Sequence, residues 1–378
     1  MISFSRTDDS LIGSWWWTID RVLLFSFLGL IFIGILMAAA ATPMVANRIG
    51  IEEFYFLKRH LMYIIPSVLT IFFVSTMEVE YLKKFSIALF TIAMFLTFMT
   101  FFFGSEIKGA KRWISIGGFS IQPSEFAKPA LAIITAWLLS EQKNYPKFRG
   151  KLLSAILYFS FVFLLVLQPD VGMILLTTAV WLGQLFVNGF PIIYAIGLGL
   201  SGVGALILAY FFLPHVTARI DKFLNPAIGD HYQIDRSLEA FANGGLFGMG
   251  PGEGIVKKHL PDAHADFVFA VLGEEFGFFI CAFVVILIAF IVVYGMLKAL
   301  KESDLFTILS SVGLLSQFGL QAFVNIASAL LLIPTKGMTL PFISYGGSSM
   351  IAASITAGMI LALVKKKIIN YEEYVQIT

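Results

Sequence analysis

The stretch LPDAHADFVFAVLGEE, residues 260–275, sets Asp262, His264 and Asp266 at the mouth of a long apolar run and places Glu274 and Glu275 inside it. A carboxylate can take a proton or ligate a hard cation. At membrane depth an ionised side chain is costly enough to mark a functional position. With a helix starting near Asp266, helical spacing puts Asp266, Ala270, Glu274 and Gly277 on one small, acidic face that can line a cavity. Structural readings stand beside this one. Asp266 can cap the helix, and Glu274 and Glu275 can satisfy loop backbone or pair with a loop lysine. Asp262 and His264 are expected in a solvated loop.

Cations suited to an anionic ligand gather elsewhere. KGAKRWISIGGFSIQPSE, residues 108–125, alternates Lys108, Lys111 and Arg112 with Trp113, Ile114 and Ile116. It reads either as an amphipathic segment resting on headgroups or as a cradle for a lipid-linked phosphate. Arg219, in ARIDKFLNP, is a second candidate, because a guanidinium bonds phosphate bidentately. Glu125 and Lys128 lie at i and i+3 and can pair with each other. Asp170, after Gln168 and Pro169, can N-cap the segment that follows. In PTKGMTLPFISYGGSSM, residues 334–350, prolines, glycines and hydroxyls interrupt apolar sequence and Lys336 adds a charge. Broken backbone at membrane depth must be buried in protein or line a cavity.

The elements that position these residues are apolar helices. Hydrophobic residues make up 58% of the 378, charged ones 13%, and phenylalanine alone occurs 39 times, with a mean hydropathy of +0.87. A soluble chain averages about 25% charged residues. The apolar runs are continuous, which excludes a β-barrel and implies an all-α polytopic membrane protein. Ten spans are expected, near 22–42, 61–77, 85–104, 124–140, 152–168, 171–188, 190–213, 267–298, 305–333 and 345–364. The eighth and ninth are long enough to tilt or project. Basic clusters at 143–151 and 365–367 favour cytoplasmic termini. The expected organisation is a cytoplasmic segment 1–20, one membrane domain 21–366 with a large extracytoplasmic loop at 214–266 between spans seven and eight, and a cytoplasmic tail 367–378. Within the loop, DRSLEAFANGG reads as a short helix stopped by Gly244–Gly245. Trp15, Trp16 and Trp17 read as an interfacial anchor, GLGLSGVGA at 197–205 as a close-packing surface, and the N-terminus as carrying no removed leader. The single Cys281 excludes an intrachain disulfide, and a net charge of +2 gives no argument for a nucleic-acid partner.

KGAKRWISIGGFSIQPSEFAK, QPDVG, YQIDRSLEAFANGGLFGMGPGEG, LPDAHADFVFAVLGEEFG and PTKGMTLPFISYGGSS together resemble the SEDS family (shape, elongation, division and sporulation), in order and over about residues 20–365. The KGAKRWI, GPGEG and PTKGMTLPFISYGGSS versions are most similar to its cell-division branch, FtsW, with the elongation branch, RodA, the near relative. The resemblance implies a peptidoglycan glycosyltransferase of the bacterial inner membrane, acting on lipid II at the division septum. It also implies a class B penicillin-binding protein (a transpeptidase) as partner, beside other divisome membrane proteins. The family's essential aspartate falls on Asp266, and its motif glutamate and lysine fall on Glu125 and Lys128.

The implied reaction joins a sugar hydroxyl to an anomeric carbon with inversion and expels undecaprenyl diphosphate. It needs a general base at the acceptor hydroxyl and positive charge at the diphosphate. Asp266 is the candidate base, and Lys128, Lys111, Arg112 and Arg219 are candidates for holding diphosphate, with Glu125 beside them. One carboxylate with neighbouring cations is sufficient for this chemistry, and the residues name no cofactor of their own. A divalent cation such as Mg or Mn can assist, though no spacing here forces a metal site. A lipid II flippase would use the same intramembrane polar residues. A small-solute transporter is a weaker rival because no inverted repeat is visible, and a divisome scaffold would tolerate loss of Asp266.

Overall fold

The computed structural model describes residues 10–50, 52–107, 110–212, 217, 221, 232–334 and 337–366. Lys108, Arg219 and Lys336, among the cations singled out above, lie outside these residues, as does the tail from 367.

Helices occupy each of the ten apolar segments. In chain order they are α2 (Arg21–Ile49), α3 (Tyr55–Thr76), α4 (Val79–Phe103), α5 (Pro123–Asn144), α6 (Gly150–Leu167), α7 (Val171–Val187), α8 (Ile192–Phe212), α10 (Val268–Ala299), α11 (Leu305–Ala329) and α12 (Gly347–Leu363). A short α1 (Leu11–Thr18) precedes them, and α9 (Tyr232–Gly244) lies in the long loop. Six described helices, α2, α3, α4, α6, α10 and α11, are long and apolar enough to cross a membrane, while α7 and α12 are apolar but shorter. Exposed phenylalanines such as Phe95, Phe102, Phe163 and Phe283 cover the outside, as expected of a surface facing lipid. At the centre, α12 is buried almost throughout. It packs against α3, α5 and α11, and a helix apolar on all sides belongs in such a position.

Local signals start and stop these helices. Asp20 accepts the Leu23 N–H (3.1 Å) at the head of α2. Asp170 accepts the Met173 N–H (3.2 Å), so it does N-cap α7. Helix α9 ends at Gly244, and Gly245 follows with φ 53°, as the glycine pair implied. The tryptophans do more than rest on an interface. Trp15 donates its indole N–H to Ser75 (2.8 Å), and Arg21 lies over the rings of Trp16 and Trp17.

Three features add to or correct the expectations. First, the described part of residues 105–121, read above as a segment resting on headgroups or a phosphate cradle, is built of strands. They form an antiparallel meander of β1 (Ser105–Ile107), β2 (Ala110–Ile116) and β3 (Phe119–Ile121). Gly117 and Gly118 both have positive φ between the paired residues Ile116 and Phe119, the backbone that a two-residue hairpin turn requires. Second, α10 is not a continuous rod. Gly277 breaks it at φ 74°, ψ −175°, and the loop fills the break. Met249 and Gly250 donate their N–H groups to the carbonyls of Glu274 (2.9 Å) and Glu275 (3.0 Å), while Phe278 donates to Gly245 (2.9 Å) and Phe279 to Leu246 (3.3 Å). Backbone freed by a break at membrane depth must find such partners. Third, among the described residues nothing packs on the glycines at 197, 199, 202 and 204, where an added Cβ would meet none of their atoms within 4 Å.

Candidate functional site

Asp266 is in neither of the places its spacing suggested. Helix α10 starts at Val268 with Phe267 as its N-cap, so Asp266 belongs to the turn ahead of the helix, where it is half-buried. The turn is fastened from two sides. Asn325, on α11, donates its amide to the Asp266 carbonyl (3.0 Å) and to the Met338 carbonyl (2.6 Å). Ser344 donates to the Ala265 carbonyl (2.7 Å) and accepts the Leu340 N–H (2.8 Å). The Tyr345 N–H bonds to the His264 carbonyl (2.9 Å). The carboxylate itself lies beside Gly337, where a Cβ would come within 3.4 Å of Asp266 Oδ2.

A second chain of polar contacts reaches the same loop from the interior. Lys128 pairs with Glu125 (2.8 Å) and donates to Gln321 Oε1 (2.8 Å). Gln321 donates to the Thr339 carbonyl (3.2 Å) and hydroxyl (3.3 Å), and that hydroxyl is hydrogen-bonded to the Ser349 hydroxyl (2.8 Å). Gln321 and Asn325 are one turn apart on α11 and therefore neighbours. The broken 337–346 backbone thus joins the Asp266 turn to the Glu125–Lys128 pair. Both members of that pair are buried. Two cavities that Lys128 lines measure about 10 Å³ each, room for one water.

The remaining acids hold structure. The carboxylate of Glu274, fully buried, accepts the N–H groups of Ile255 (2.7 Å), Val256 (2.7 Å) and Lys257 (2.9 Å) and the side chain of Asn243 (3.0 Å). Glu275 pairs with buried Lys257, which also donates to the Ala40 carbonyl (3.0 Å), three residues before Pro43 within α2. The loop-backbone and loop-lysine readings of these two glutamates are both realised. The acidic cavity face is not, because Glu274 points into loop backbone. His264 and Asp262 are likewise not freely solvated. The His264 ring packs on Phe56 and Tyr345, and Asp262 is half-buried in a turn where its main-chain carbonyl accepts the N–H groups of Ala265 and Phe267.

Of the expected phosphate ligands, Lys111 is exposed on β2 opposite Glu106. Arg112 donates to the carbonyls of Gln168 (2.9 Å) and Pro169 and lies 3.5 Å from Asp170, clamping the α6–α7 junction. Arg59, which sequence reasoning passed over, stands at the site. It bonds to the Gly118 carbonyl and lies over the Tyr55 and Phe119 rings. Gln321 and Asn325 were also missed. They are uncharged residues in an apolar run, and their polarity there was the available signal. Among the described residues no group of three or more His, Cys, Asp or Glu side chains is arranged to hold a metal.

A bundle of apolar helices with a discontinuous helix, a re-entrant loop and a carboxylate held between them defines a polytopic membrane protein with a polar site at one face. Residues 20–368 match the model of the FtsW/RodA/SpoVE cell cycle proteins, and the chain belongs to that family. It is 42% identical to the probable peptidoglycan glycosyltransferase FtsW of Caulobacter vibrioides, over 97% of this chain and 94% of that one. It is 35% identical to stage V sporulation protein E of Bacillus subtilis, over 90% and 96%. Among solved structures, a chain of a peptidoglycan synthase complex, studied for its coordination of polymerization and crosslinking, superposes with a TM-score of 0.77 at 26% identity, covering 92% of this chain and 97% of that one. The rod shape determining protein RodA of Thermus thermophilus gives 0.64 at 25% identity with the same coverage.

Proposed function

We propose that this chain polymerises peptidoglycan glycan strands from lipid II, with Asp266 as the general base on the acceptor sugar hydroxyl. Family membership and the names of its relatives support the reaction class. The observation that carries the residue assignment is the double fastening of the Asp266 turn, by Asn325 and by the 338–345 backbone. A base must be held within hydrogen-bond reach of the proton it takes, and Asp266 is half-buried on a turn tied to α11 and to the loop ahead of α12. Proton transfer to Asp266 accompanies attack of the hydroxyl on the anomeric carbon. The carbon–oxygen bond to the lipid diphosphate breaks with inversion, and the diphosphate leaves without protonation.

Lys111, Arg112 and Arg219 are the proposed diphosphate contacts, with Arg59 added by its position. Lys128 is assigned a positioning role, because its ammonium is buried as well as bonded to Glu125 and Gln321, whereas Arg112 stays partly exposed. In the membrane the ten long helices are read as crossings, with both termini cytoplasmic and the 214–266 loop extracytoplasmic. The proposed setting is the division septum, beside a class B penicillin-binding protein and other divisome membrane proteins.

A flippase must give a disaccharide headgroup a path through the bundle, and the cavities beside Lys128 are about 10 Å³ each. The test is to supply lipid II to the purified chain with a class B transpeptidase and moenomycin, and to follow the products on gels. Long glycan is expected. Movement of lipid II between leaflets of liposomes with no polymer formed would overturn the reading.

A further inference from the structure

At the opposite end of the bundle from Asp266, where α2 begins and α10 and α12 end, lies a cavity of about 590 Å³ lined by Trp17, Asp20, Arg21, Val22, Tyr294, Lys298 and Lys366 among others. Three cations from three segments converge on it. The one acid is already engaged: Asp20 accepts the Leu23 N–H (3.1 Å) and the Tyr294 hydroxyl (3.1 Å) and pairs with Lys298 (3.2 Å). Arg21 lies over the Trp16 and Trp17 rings at 4.7 and 4.8 Å, which orients its guanidinium without neutralising it. Lys366 is placed by its backbone N–H on the Thr18 carbonyl (2.8 Å), and the Lys365 ammonium anchors the same segment on the Met77 carbonyl (2.9 Å). Among the described residues no carboxylate pairs with Arg21 or Lys366.

We propose that this cavity binds the phosphate headgroup of an anionic phospholipid at the membrane face opposite Asp266. Arg21 and Lys366 contact the phosphate, and Lys298 supplies background charge while holding Asp20. A lipid fits better than a free anion because of the walls. Val22 is exposed and continues into exposed Phe25 on the outer surface of α2, a path for acyl chains. Trp17 sits where interfacial aromatics meet headgroups, and basic pockets between helices suit such headgroups. A bound headgroup would tie the α1–α2 junction, the end of α10 and the segment after α12 together.

Native mass spectrometry of the full-length chain in detergent, titrated with phosphatidylglycerol or phosphatidylcholine, tests this. Phosphatidylglycerol is expected to bind tightly and phosphatidylcholine weakly. Each charge removed is worth about fivefold in affinity, so Arg21→Gln with Lys366→Gln should weaken phosphatidylglycerol about 25-fold. Lys366→Gln alone, an exposed change that spares Arg21 and its tryptophans, should give about fivefold and decides the matter if the double variant misfolds. Lys143→Gln with Lys147→Gln removes the same charge elsewhere and should leave binding unchanged. Equal binding of both lipids overturns the proposal. So does equal loss in the control variant, unchanged binding by Lys366→Gln, or displacement of the lipid by millimolar inorganic phosphate.

Discussion

The side-chain amide of Asn325 bridges the main-chain carbonyls of Asp266 and Met338, at 3.0 and 2.6 Å. It ties the residue of the proposed base to the broken backbone ahead of α12. Asn325→Ala leaves both carbonyls without that donor, an expected loss of about 1–3 kcal/mol. The Asp266 turn then loosens, and misplacement of a reacting group on that scale slows a reaction by about 100-fold. Polymerisation rate and thermal melting of the same preparation check this: the rate should fall far more than the melting temperature.

Glu274 gathers three loop N–H groups and one amide in a fully buried position. Glu274→Ala strands them, each at about 1–3 kcal/mol, and should unfold the 245–258 segment. Glu274→Gln keeps one acceptor and should be milder. Hydrogen exchange of the Ile255, Val256 and Lys257 amides measures the difference.

Lys257 and Glu275 form a buried pair. Breaking it from one side leaves an uncompensated charge and costs about 3–5 kcal/mol. Lys257→Met and Glu275→Gln should each be severely destabilising. The double variant should recover much of the loss, because neither charge then remains. Thermal melts of the four proteins form the cycle that checks this.

Gly277→Ala meets two obstacles at once. Its φ is 74°, and a Cβ would stand 2.4 Å from the Gly248 nitrogen and 2.5 Å from the Leu246 oxygen. The expected outcome is a chain with α10 straightened or the loop expelled, read as increased protease cleavage between 245 and 258 and loss of polymerisation.

The path from sequence to structure was uneven for physical reasons. Apolar runs of about 20 residues have one way to satisfy their backbone in lipid, so the helical segments were legible. So were the cap at Asp170 and the stop at Gly244, because both are local. The meander at 105–121 had a readable signal in its alternating residues around Gly117–Gly118, but the basic residues drew attention to lipid headgroups instead. The break at Gly277 was hidden, because a glycine in an apolar run looks like a packing residue until a loop is seen to fill the gap. Asp266 was singled out by its expected depth and its family motif. Its supports, Asn325 and Ser344, come from helices and loops distant in sequence, which no local pattern encodes. Arg219 lies outside the described residues.

The central claim is that the Asp266 carboxylate takes the proton of the acceptor hydroxyl. Asp266→Asn keeps the shape of the side chain and removes its basicity. Assayed for glycan product with lipid II and partner transpeptidase, and matched to the unaltered chain in melting temperature, it should lose activity by at least about 100-fold. A well-folded Asp266→Asn chain that makes long glycan at an undiminished rate would contradict the account.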